Sequence, residues 1–191
     1  MKHIFIYITL MFILISCKER FTPKPTGYMR FDFIKKESKK YKIANLFSFY
    51  SADYYRVKTQ KKNNSTWIDL SYKKHNATIH LTHSIINNNL STLIEEARSM
   101  VYKHTIKADA IHEKNYSNIV SKSFGKLYDI KGQSASAVQF YLTDSTNHFL
   151  RGSLYFYTHT NPDSLAPVIK YIRNDIMTIM ETIEWVKTDG I

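Results

Sequence analysis

The sequence is poor in cysteine, glycine and proline, with one, five and four among 191 residues. A lone cysteine excludes an internal disulfide, and with it the stapled scaffolds of very small secreted domains. Five scattered glycines leave no phosphate-cradling loop. No apolar run is long enough to span a bilayer: Ile4 to Ile15 is uncharged over twelve residues, and a spanning helix needs about 20. There is no internal repeat, low-complexity segment or second-domain linker.

What is present begins with that cysteine. Lys2 and His3 precede the Ile4–Ile15 run, which has the size of a signal-peptide apolar segment. Leu14-Ile15-Ser16-Cys17 then matches a bacterial lipobox, whose chemistry needs a thiol to take a diacylglycerol. The expectation is a signal peptide over residues 1–16 and a lipidated tether over 17–27. A single α+β periplasmic domain is expected over 28–191. Several acyl chains anchor stably where one is marginal. The anchor therefore places the chain on a membrane, facing the periplasm, with inner or outer membrane undetermined.

The formal net charge is +11, unevenly spread. Residues 18–42 hold nine Lys/Arg against three acids, and residues 56–74 hold six against one. From His75 onward the two signs balance at eleven each. The basic front suits either attraction to anionic head groups or a lysine-rich solvated face. Export argues against nucleic acid as a partner, despite a pI near 9.6.

Periodicity supplies the elements. Tyr28–Phe33 alternates and reads as a first strand; Lys35–Lys42 reads as a basic loop. Tyr54–Lys58 is a short strand. Trp67–Tyr72 places Ile68, Leu70 and Tyr72 on one side, and Ala77–His83 places Ala77, Ile79 and Leu81 on one side. Lys73–Asn76 joins these two as a hairpin turn. Leu90–Thr105 has helical spacing through Leu93, Ile94, Ala97, Met100, Val101 and His104. Its N-terminus is a Thr92/Glu95 capping box or an Asn88 or Asn89 cap. Ala108–Lys131 contains two or three strands. Val138, Phe140 and Leu142 alternate before the turn Asp144–Asn147, and Phe149–Tyr157 completes the clearest hairpin. Leu165–Trp185 is the last helix, capped by Asp163 or Ser164, with Pro167 in its first turn and a stripe of Ile169, Ile172, Ile176, Ile179, Met180 and Ile183. Strands, helix, strands, helix implies an α+β fold, a mainly antiparallel sheet packed with two helices.

Catalytic and metal chemistry are weakly marked. His80 and His83, three apart on a strand, fall on opposite faces and cannot share one ion without a bulge. No metal or cofactor is expected. Asp144, Ser145 and His148 are triad-like in composition, but residues this close on one turn make local turn bonds. His104 on the apolar stripe reads as a core or boundary residue. Arg151 shares a strand face with Phe149 and Ser153, placed to bind a partner carboxylate or to pair within the sheet.

Several segments together resemble one family. They are the lipobox with Pro23-Lys24-Pro25-Thr26-Gly27-Tyr28-Met29-Arg30, Lys103–Ala108, Tyr141–Gly152, Asp163–Val168 and Glu181–Trp185. In order and spacing they are similar to the gliding-motility lipoprotein GldD family of Gram-negative gliding bacteria. The resemblance implies a non-enzymatic envelope lipoprotein needed for gliding and linked to the type IX secretion machinery. It implies other gliding-motility lipoproteins and secretion-machinery proteins as partners. The pattern also resembles the α/β/α sandwich of PsbP-like proteins. No catalytic residue carries over. Cys17 is the expected lipidation site, and Arg30, His148 and Arg151 are the candidate partner-binding residues. Two other readings stay open: a small envelope enzyme, and a binder of anionic envelope polymer through the basic N-terminal half.

Overall fold

Alternation along β4 (Ser65–Tyr72) and β5 (Ala77–Ile85) sets the architecture. Ile68, Leu70 and Tyr72 are buried on one face of β4, and Ala77, Ile79, Leu81 and His83 on the same face of β5. The chain reverses between them through a 3-10 turn, Lys73–His75, ended by Asn76 in the left-handed region (φ 50°). The computed structural model describes residues 38–52, 56–62, 65–103, 108–157 and 162–186. Tyr28–Phe33, Cys17, Arg30 and His104 lie outside them.

Seven strands form one antiparallel sheet in the order β3-β4-β5-β9-β8-β7-β6. It consists of two meanders. The first runs through β3 (Arg56–Lys62), β4 and β5; the second through β6 (Ala108–Asn118), β7 (Ser123–Gly132), β8 (Ser136–Thr143) and β9 (His148–Phe156). Helix α1 (Leu90–Tyr102) carries the chain from β5 to the far edge, so β9 returns to pair with β5. Helix α2 (Pro162–Thr182) follows β9. A second, three-stranded sheet, β1-β2-β10, joins β1 (Ser38–Ile43) and β2 (Phe47–Ala52) to β10 (Glu184–Trp185) near the other end of the chain.

The helices lie on opposite faces. Leu127 packs in the main core with Val168, Ile172, Ile176, Ile179 and Met180 of α2. Its neighbour Tyr128 points the other way and packs with Ile130 and Val101 of α1. The layering is therefore helix, sheet, helix, with the small sheet beside α2, and the fold is α+β with antiparallel sheets. The Tyr72 hydroxyl donates to the buried Asp175 carboxylate at 3.3 Å, tying β4 to α2.

Several expectations change at their boundaries. Lys35–Lys42 is not all loop: Ser38–Ile43 is a strand at the edge of the small sheet. Its lysines hid it from an apolar count, yet lysine is the usual guard of an exposed sheet edge. The same holds for β3, which extends to Lys62. β2 carries no alternation signal because the polar Ser51 is buried beside Phe47 and Phe49 while the large Tyr50 is exposed on the other face. Helix α1 ends at Tyr102, and Met100 is exposed. Asn89 is its N-cap residue, but its side chain accepts from the Asn87 N–H at 2.8 Å and caps no helical N–H. Helix α2 starts at Pro162, so Pro167 falls a turn further in than expected. It stops at Thr182, and Trp185 is a strand residue because its backbone pairs with Phe47.

Gly152 marks a tight point of the core. A Cβ there would meet the Phe140 ring at 2.2 Å and Leu81 at 2.9 Å. Gly152→Ala is expected to cost about 1–3 kcal/mol, the usual range for overpacking. Urea unfolding checks it: an unchanged midpoint would show that the Phe140 ring has room to move.

Candidate functional site

Of the expected site residues, His148 and Arg151 lie on β9, at different depths, while Cys17 and Arg30 fall outside the described residues. The turn before β9 is built by Asp144, whose Oδ1 accepts from the backbone N–H groups of Thr146 (3.0 Å), Asn147 (2.8 Å) and His148 (2.8 Å). Burial works against the Asp144 charge, yet these three donors hold its carboxyl below the usual range. Ser145 takes a positive φ of 68°. The three triad-like residues thus make a turn, as expected of local polar side chains.

That turn delivers His148 into the interior, where it is 4% exposed. Its Nε2 lies 3.0 Å from the Val186 carbonyl, which only accepts, so Nε2 carries the proton. Nδ1 is then the acceptor for the His83 Nε2–H at 2.9 Å. The His148 ring stacks on Trp185 (5.3 Å, 6°), and His83 tilts against Phe47 (5.8 Å). Trp185 donates from Nε1 to the Ser123 hydroxyl at 2.9 Å, and the Val186 N–H donates to the Leu46 carbonyl at 3.0 Å. Two histidines far apart in sequence therefore converge, and together with Trp185 they pin the strand after α2 to the large sheet. Direct contact between the His148 ring and a partner would require β10 to lift.

Arg151 points to the opposite face, that of α1, between Thr82 of β5 and Tyr141 of β8. It is half-buried. Burial pulls its guanidinium down, while Tyr155 and Glu96 pull it up. It forms no ion pair or hydrogen bond with any described residue.

Arg151 borders a stretch of that face over which no described element lies. Helix α1 covers the side of β6, β7, β8 and β9. Beyond Arg151 the same register row continues through Thr82 to Trp67 (48% exposed) and Gln60. The next row holds Ser153, His80, Asp69 and Lys58. His80 Nδ1–H donates to Asp69 Oδ1 at 2.7 Å, and its Nε2 lies 3.0 Å from the Tyr157 hydroxyl. The Tyr155 ring meets the His80 ring edge-on at 5.6 Å. Tyr157, 61% exposed, is clamped by its backbone N–H and carbonyl to Asn76. This face carries Trp, Tyr, His and Arg in fixed orientations. Sequence reasoning placed Arg151 there but missed Trp67, Asp69, His80 and Tyr157 as a group, because they come from β4, β5 and the residue after β9. Their period-2 positions on β4 and β5, opposite the apolar set, were the available signal.

Among the described residues no three His, Cys, Asp or Glu side chains converge as a metal site. No described helix is long and apolar enough to cross a membrane. A family model described as gliding motility lipoprotein GldD matches residues 18–185. Neither the curated proteins nor the solved structures contain a match.

The buried histidine pair makes stability depend on pH. Burial, then the neighbouring His148, brings the His83 pKa down to about 4 from the ordinary 6.5. The unfolded chain thus binds a proton that the folded chain refuses. Stability is full above pH 6.5 and is lost as pH falls from there toward about 4, by up to about 3 kcal/mol. His83→Gln is expected to flatten the denaturation midpoint between pH 7 and 5. An equal slope in parent and variant would assign the pH dependence to other groups.

Proposed function

The chain belongs to the gliding motility lipoprotein GldD family, and from that premise we propose that it is a non-enzymatic scaffold of the cell-envelope motility and type IX secretion machinery. In this reading Cys17 carries the lipid, residues 1–16 are removed and the domain faces the periplasm. The partners are other gliding-motility lipoproteins and secretion-machinery proteins.

The observation that carries the partner surface is Arg151. A half-buried guanidinium with no bond to a described residue has lost water without a full replacement among those residues. A partner carboxylate restores it, in the bidentate geometry that arginine favours. Trp67 and Tyr157 are exposed on the same face, and Trp, Tyr and Arg are the residue types that dominate interface energetics. His148 contributes from inside by holding β10 in place. Arg30 remains a proposed contact from the segment nearest the lipid.

Affinity purification of the lipidated protein tests this surface. Alanine at Trp67 and Arg151 together is expected to lower recovery of envelope partners by at least about tenfold, the loss of a hot spot worth more than about 1.4 kcal/mol. Recovery unchanged by these substitutions, and by Arg30→Ala, would place the contact elsewhere. The anchor has its own check. Cys17→Ser is expected to shift the protein out of the membrane fraction, and mass spectrometry of the native N-terminus is expected to show an acylated Cys17. An unmodified Met1 would overturn the topology.

A further inference from the structure

A cleft of about 930 Å³ opens between the ends of β6 and β7 and the first half of α2. It lies on the α2 side of the sheet, away from the Arg151 face. Its floor is apolar, with Ala137, Phe156, Leu165 and Ile169. Ala137, Phe156 and Ile169 pack against the main core yet are only partly buried. Apolar side chains left half-covered in a concavity of this size are the usual lining of a ligand site.

The rim supplies charge. Arg173 is engaged: Nε and Nη2 bind the Asp129 carboxylate at 2.6 and 2.7 Å, bracing α2 against β7. Lys131 and Lys170, from opposite walls, are exposed and form no ion pair or hydrogen bond with any described residue. Asp109 also lines the mouth, beside Gly132. Gly132 has φ +101°, and a Cβ there would lie 2.7 Å from the Asp109 backbone nitrogen, so the mouth keeps its shape only with glycine. The two lysines outnumber the Asp109 carboxylate.

We propose that this cleft binds an anionic amphiphile, its acidic head between Lys131 and Lys170 and its hydrocarbon body on the Phe156–Ile169 floor. Charge complementarity selects the head, and the unpaired apolar floor selects the body. The site is independent of the partner surface, so either stands if the other fails. Two sources share this chemistry: a free long-chain acid or phosphate, and an anionic membrane lipid.

Native mass spectrometry of the full lipidated protein tests it, with dodecyl phosphate, dodecanoate, dodecanol and phosphatidylglycerol as probes. One anion per protein is expected to be retained, and dodecanol far less. Lys131→Glu with Lys170→Glu is expected to cut the bound fraction by about tenfold or more, and Asp109→Asn to raise it. Lys131→Gln with Lys170→Gln removes charge without adding any and is expected to fall between. Unchanged thermal melting by circular dichroism identifies folded variants, as expected for exposed lysines. Retention of phosphatidylglycerol with the same lysine dependence identifies a membrane lipid; retention of the single-chain anions alone identifies a free acid. Equal retention of dodecanol and dodecanoate, or an anion fraction indifferent to both lysine pairs, overturns the proposal.

Discussion

The pairing of β5 with β9 is the constraint on which the rest depends. It joins two meanders that each lack a closed core, and it fixes the register of everything placed across the join. Because His83 sits opposite Leu150 and Ile85 opposite His148, the two imidazoles meet on the inner face. Because Thr82 sits opposite Arg151, the guanidinium emerges on the outer one. A slip of β9 by one residue would exchange its two faces, turning Arg151 into the core and His148 out of it. Gly152 opposite Leu81 leaves space for the Phe140 ring at the same join.

This join divides the sheet's two faces by role. Apart from the cleft beside β6 and β7, the inner face is covered by α2 and the small sheet, whose last strand is pinned by His148, Trp185 and the Lys40–Glu184 ion pair at 2.6 Å. That exposed pair adds little by itself; the histidine stack and the buried hydrogen bonds fix β10. On the outer face α1 covers the second meander, and no described element lies over the first. In the proposed scaffold role, this is the face offered to other envelope proteins.

The inner core was largely legible. Ile68, Leu70, Tyr72, Ile79, Leu81, Val138, Phe140 and Leu142 announce themselves by strict alternation, and the α2 stripe by helical spacing. The edge strands were not, since β1 and β3 are rich in lysine and lack an apolar rhythm. Trp185 followed a helical pattern and was assigned to the helix, although its pairing with Phe47 draws it into a sheet. Of the candidate site, Arg151 was visible as a cation on a strand face. The His83–His148 contact was not, because it joins positions 65 residues apart. The same reason conceals the Asp69–His80–Tyr157 chain, which needs the β4–β5–β9 register before its members meet.

In the proposed reading the partner contact lies on the face of the first meander over which no described element lies. A photo-crosslinking residue at Gln60, in the Trp67 and Arg151 row, tests it in intact cells. A second probe at Glu95, on the exposed side of α1, serves as the comparison. The account predicts crosslinks to a discrete envelope protein from position 60 and none from position 95. Crosslinks from position 95 alone would contradict it.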